Sequence, residues 1–180
     1  MRYWLDTEFI ESGPDRPIEL LSIGIVAEDG REFYAENASA DLSKANDWVR
    51  EHVIRQLICV GHVNHRVELP SCPAAFRSAI ALAVQLFCDR EMYGKPEFWG
   101  YYADYDWVVL CQLFGSMVDL PKGWPMYCRD LKQWADELGN PQLPEQGKGE
   151  HHALADAKWN RQAWEFLAHY KLVLDGGFTT

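Results

Sequence analysis

The first forty or so positions run in short apolar or alternating segments closed by turn residues, whereas later apolar positions recur mostly at helical spacing. Residues 2–8 (RYWLDTE) predict a first strand, and Ser12-Gly13-Pro14-Asp15 a turn. Residues 18–28 (IELLSIGIVAE) are rich in β-branched and apolar side chains and predict a second strand. Asp29-Gly30 marks a hairpin turn, after which residues 31–36 alternate as a third strand. Helical patterning then dominates. Residues 43–55 predict a helix with Ser43 as its cap. Residues 71–90 predict a second helix, with Ser71 capping and Pro73 in its first turn. A short strand at 96–102 leads into a helix at 104–114, stopped by Gly115. A short strand at 126–128 precedes a helix at 130–138 that ends at Gly139. A Pro/Gly-rich loop at 140–150 leads into a long helix within 151–171, and residues 175–180 read as a fraying end. A three-stranded antiparallel meander followed by helices alternating with single strands predicts an α/β layer arrangement with a mixed sheet.

Composition narrows the class. With 180 residues, 48% of them apolar, the chain suits one domain with a full core, taken as 1–180. No apolar run could span a bilayer; the longest, around 79–88, is too short and contains Gln85. Asp6 interrupts the first apolar run, so the N-terminus does not read as a secretory signal. Five cysteines (Cys59, Cys72, Cys88, Cys111 and Cys128) form no C-x-x-C pair and read as reduced thiols in a cytoplasmic protein. A formal charge of −10 argues against a general nucleic-acid binder, which would carry a basic face. Acids that hold metal ions distort that count, so a grip on a few phosphates remains compatible with it. Long duplexes should bind weakly.

Three acidic elements carry the candidate chemistry. In the predicted first strand, Asp6 and Glu8 fall on one face and Thr7 on the other. Two acids side by side among Tyr3, Trp4, Leu5 and Phe9 repel each other and lose hydration. A hard divalent cation held by oxygen ligands is the usual compensation. The second element, Tyr101 to Trp107, places Asp104 and Asp106 at a strand-to-helix junction, where acids by themselves read as ordinary capping. The third places Asp156 in the first turns of the last helix, with His151 at its mouth and His152 beside it. A histidine before a helix is by itself mostly polar surface.

Taken in order, an Asp-x-Glu on the first strand, an aromatic-Asp at a helix start and a His-x₄-Asp at the last helix resemble the histidine-bearing subclass of the DEDD 3′→5′ exonucleases. Within it, the stretches YWLDTEFIE, IELLSIGIVAEDGREFYA, YDWVVLCQLFG and HHALADA are similar to the polyadenylate-specific bacterial branch related to RNase T. The family pattern selects Asp106 over Asp104, which is left as an outer acid or a cap. It selects His151 over His152, which is left to packing or solvent. The middle motif departs from many relatives in lacking an Asn shortly before the aromatic-Asp pair.

The resemblance implies a ribonuclease H-like fold and a site of Asp6, Glu8, Asp106, Asp156 and His151. It implies two Mg2+ ions, with Mn2+ able to substitute: Asp6 bridging, Glu8 and Asp156 completing one ion, and Asp106 serving the second. His151 would be the general base. The substrate would be a single-stranded RNA 3′ end, adenylate-rich tails included, with nucleoside 5′-monophosphates as products. Phe9 and Tyr105 would contact terminal bases. A DNA exonuclease of the same fold and an inactive nucleic-acid-binding domain are the competing expectations. A homodimer is expected from the relatives, and a membrane role is not. The 140–150 loop reads equally as a gate over the site or as a plain connector.

Overall fold

The computed structural model describes residues 1–59, 74–147 and 149–176. Its strands are β1 (Arg2–Ile10), β2 (Glu19–Ala27), β3 (Glu32–Asn37), β4 (Ala74–Ala75), β5 (Glu97–Gly100) and β6 (Arg129–Asp130). They form one mixed sheet in the order β4-β3-β2-β1-β5-β6. The antiparallel meander β1–β2–β3 is as the alternation predicts, and β5 and β6 add in parallel on the far side of β1. The central strand β1 therefore has both neighbours, which fits the burial of Tyr3, Trp4, Leu5 and Ile10 along it.

The helices are α1 (Asp47–His52), α2 (Arg77–Phe87), α3 (Arg90–Tyr93), α4 (Asp104–Phe114), α5 (Leu131–Glu137) and α6 (Ala153–Leu174). Several predicted bounds are corrected. The helix expected over 43–55 is α1 alone, flanked by 3-10 turns at Leu42–Lys44 and Ile54–Gln56. Asn46, not Ser43, caps it by accepting from the Val49 N–H at 2.8 Å, while Asp41 accepts from the Ser43 N–H. The helix expected over 71–90 begins at Arg77 and breaks near Asp89, whose side chain caps the short α3. The predicted caps Ser71 and Pro73 lie outside the described residues. The strand expected at 126–128 pairs instead at Arg129–Asp130. Cys59 is disulfide-bonded, which corrects the reading of all five cysteines as reduced; Cys88, Cys111 and Cys128 are free.

Alternation along β1 sorts the core into two layers. Tyr3 and Leu5 pack with Ile80 and Val84 of α2 and Trp107 and Leu110 of α4. Trp4 packs on the opposite face with Leu131 and Ala135 of α5 and Ala157, Ala163 and Leu167 of α6. Gly24 of β2, paired with Asp6, lets α6 lie directly on the sheet: a Cβ there would stand 2.3 Å from the Ala153 carbonyl oxygen. Asn160 of α6 then donates to the Leu5 carbonyl at 2.9 Å. These two contacts seat the first turns of α6 beside the acids of β1. Among the described residues no helix is long and apolar enough to cross a membrane.

Candidate active site

The pleat of β1 directs Asp6 and Glu8 to the α6 face, and Asp156 in the first turn of α6 meets them there. Beyond Glu8 the pairing with β2 shifts register, so the strand bends where the acids end. Asp106 arrives from α4 on the other face. Its Oδ1 accepts from both the backbone N–H and the hydroxyl of Thr7, at 2.8 and 2.6 Å. Glu8, Asp106 and Asp156 are 9%, 6% and 8% exposed, so three carboxylates are nearly out of water.

Electrostatics follow from that crowding. Burial holds Asp6 well above the usual carboxylate range, and the charges of Asp106, Glu8 and Asp156 push it further. Burial, then Asp156 and Asp106, push Glu8 up to about 8. Burial raises Asp106 to about 6 against the opposing hydrogen bonds from Thr7. Asp156 is raised by burial too, although Gln146 and the His151 N–H donate to its two oxygens at 2.6 and 2.9 Å. Among the described residues, no Lys or Arg forms an ion pair with any of the four. Four oxygen-donor acids without a cationic partner fit a hard divalent ion. Ligand atoms of Glu8, His151 and Asp156 lie within 4.8 Å of one another, close enough to share one ion. Histidine thus joins the possible ligand set, which the sequence reading restricted to carboxylates.

The ambiguities of register separate in space. Asp106 is buried against Thr7, while Asp104 is exposed. His151 has a ring nitrogen in the acid group, while His152 stacks on Tyr34 at 4.6 Å and 20°. His151 adopts a φ of +67° and is held from outside the motif. Trp48 of α1 meets its ring edge-on at 4.9 Å, and Gln56 donates to the Glu150 carbonyl at 2.6 Å. The 140–150 loop supplies Gln146 to Asp156 and the Pro144 carbonyl to the Trp159 indole. Phe9 and Tyr105 stack on each other at 5.7 Å and 9°. Thr7, Trp48, Gln56 and Gln146 escaped the sequence reading. Thr7 was visible between two acids, but nothing local showed that it reaches a residue 99 positions away.

The central strand thus carries acids that meet a helix-borne acid and a histidine, a donor set able to hold a divalent ion. Comparison with known proteins gives the class. Residues 1–168 match the model of the Rv2179c-like 3′-5′ exoribonuclease domain. The 3′-5′ exoribonuclease Rv2179c of Mycobacterium tuberculosis (strain ATCC 25618 / H37Rv) is 40% identical over 160 residues, covering 88% of each chain. The 3′-5′ exoribonuclease MT2234.1 of Mycobacterium tuberculosis (strain CDC 1551 / Oshkosh) matches to the same extent. The chain belongs to the Rv2179c-like 3′-5′ exoribonuclease family, and its class is that of a 3′-5′ exoribonuclease.

Proposed function

We propose that this exoribonuclease belongs to the histidine-bearing DEDD group on a ribonuclease H-like fold, close to RNase AS. It would remove nucleoside 5′-monophosphates one at a time from the 3′ end of single-stranded RNA, adenylate-rich tails included. The observation that carries this reading is the gathering of Asp6, Glu8, Asp106 and Asp156, all with raised carboxyl pKa values, with the His151 ring beside Glu8 and Asp156. The meander β3–β2–β1 continued by parallel β5 and β6 supports the fold assignment.

Asp6, Glu8 and Asp156 would hold one magnesium ion and Asp106 would serve a second, with Asp6 shared and manganese able to replace magnesium. Bound there, divalent ions make water a better nucleophile and offset charge on the departing 3′ oxygen. Thr7 keeps Asp106 turned toward the cluster, and Gln146 with the His151 N–H fixes Asp156. His151 would accept the proton of the attacking water at a ring nitrogen. Trp48 limits where that ring can swing. The terminal base stacks on the Phe9–Tyr105 pair, of which Tyr105 is half exposed. The protein is expected to act as a homodimer, which sedimentation would test.

A 5′-labelled single-stranded RNA and the matching DNA, each with magnesium and with chelator, test the reading. A ladder shortening by single nucleotides on RNA, absent with chelator, is the expected result. Internal fragments as first products, or full activity in chelator, would overturn it.

A further inference from the structure

A second aromatic wall stands on the opposite side of the acids from Phe9 and Tyr105. Phe9 belongs to the core layer beneath α2 and α4, whereas Tyr101 and Trp159 belong to the layer beneath α5 and α6. There a cleft of about 270 Å3 opens against Asp6, His151 and Asp156, walled by Tyr101, Tyr102 and Trp159. Tyr101 meets Trp159 at 5.0 Å and 90° and Tyr102 at 4.7 Å and 69°, so the three rings form a continuous edge-to-face set. Tyr101 is partly buried in that set, while Tyr102 at its end is 64% exposed.

The backbone of Tyr102 is also unusual. Its φ is +54°, a conformation that a bulky side chain rarely adopts. Among the described residues only Tyr102, Asn140 and His151 are non-glycine with positive φ, and Asn tolerates it. The other two both line this cleft. Strain of this kind persists where the surrounding structure holds it and gathers at ligand-binding positions.

We infer that the cleft receives the nucleoside on the 5′ side of the scissile phosphate, with its base stacked on Tyr102. The inference rests on the proposed exoribonuclease reading. If the acids hold the phosphate and Phe9–Tyr105 takes the terminal base, the neighbouring nucleoside must leave on the other side. Glu150, Asp6 and Asp156 on the cleft walls repel a second phosphate and favour a neutral base. The Gln146 amide, the Asn160 amide and the Trp159 indole already donate to Asp156, the Leu5 carbonyl and the Pro144 carbonyl. Recognition here is by stacking, which every base offers, so this subsite discriminates little between bases.

The test compares two substrates. One is an RNA trinucleotide; the other is the p-nitrophenyl ester of a nucleoside 5′-monophosphate, which keeps the terminal nucleotide but lacks its 5′ neighbour. In Tyr102→Ala, the ratio of kcat/KM for the trinucleotide over the ester should fall about tenfold, and Tyr102→Phe should restore it. Tyr102→Asn removes the ring while keeping a side chain that suits the backbone, and should match the Ala variant even if Ala disturbs the fold. Equal losses on both substrates, or an unchanged ratio in the Asn variant, would overturn the subsite. Wild-type protein that cleaves neither substrate would instead overturn the exoribonuclease reading, and this inference with it.

Discussion

Thr7 donates two hydrogen bonds to one oxygen of Asp106, reaching from the central strand to a helix on the other side of the sheet from Asp156. The acids of the site thus come from both layers of the fold, and Thr7 is the clasp for the α4 side. A hydrogen bond to a buried charged group contributes about 1.5–3 kcal/mol. Thr7→Val keeps the shape and the backbone donor but loses the hydroxyl. Turnover should fall about tenfold, half-saturation should move to higher magnesium, and the unfolding free energy should drop by about 1.5–3 kcal/mol. Thr7→Ser should recover turnover and half-saturation, as a magnesium titration of initial rates would show.

Metal-free protein should lose stability as pH rises. Glu8 and Asp106 have folded-state pKa values of about 8 and about 6, against ordinary values of 4.5 and 3.8. A carboxyl raised on folding contributes most below its unfolded pKa, and that contribution is lost as pH climbs through the folded value. The window therefore runs from about pH 4 to about pH 8. Melting temperature in chelator should decline across it, and magnesium at pH 8 should restore what was lost. A flat or rising profile in chelator would contradict the raised values.

Removing one acid should separate stability from activity. Asp6→Asn deletes a charge that burial and three neighbouring carboxylates disfavour. The metal-free variant should melt at or above the wild-type temperature at pH 8, while exonuclease activity is nearly abolished. Asp156→Asn should also abolish activity and keep the fold. Turnover near wild type in either variant would remove the proposed ligand assignment.

His151 and His152 should differ in kind. His151→Asn suits the left-handed backbone but offers no base, so turnover should drop by about 10²–10⁴-fold. His152→Ala should leave the chemistry largely intact and cost about 1 kcal/mol through the lost stacking on Tyr34. Turnover rates together with denaturant unfolding distinguish the two.

Gly24→Ala should act at a distance on the site. The added Cβ would meet the backbone of Ala153 and Leu154, none of which can rotate away, so the start of α6 must lift off the sheet. A loss of about 3 kcal/mol in unfolding free energy is expected. Because Asp156 moves with that turn, magnesium affinity measured by calorimetry should fall as well.

Local pattern alone determined the meander and the bounds of α4 at Asp104–Phe114, while the choice of Asp106 and His151 over their neighbours came from the ordered family motifs. Those features depend on periodicity and on residues a few positions apart, which the chain carries in itself. The two-residue β6 was misplaced because so short a strand is defined by its pairing with Trp99 and Gly100 rather than by its own residues. The helix at α1 came out shorter because the Asn46 cap and the flanking 3-10 turns prevailed over the Ser43 signal. What holds the acids and the histidine in place was decided only in three dimensions. Thr7 on Asp106, Gln146 on Asp156, Trp48 against His151 and Gly24 beneath Ala153 each join residues of different elements. No spacing along a chain encodes such contacts, because they exist only once the sheet has twisted and both helical layers have closed on it.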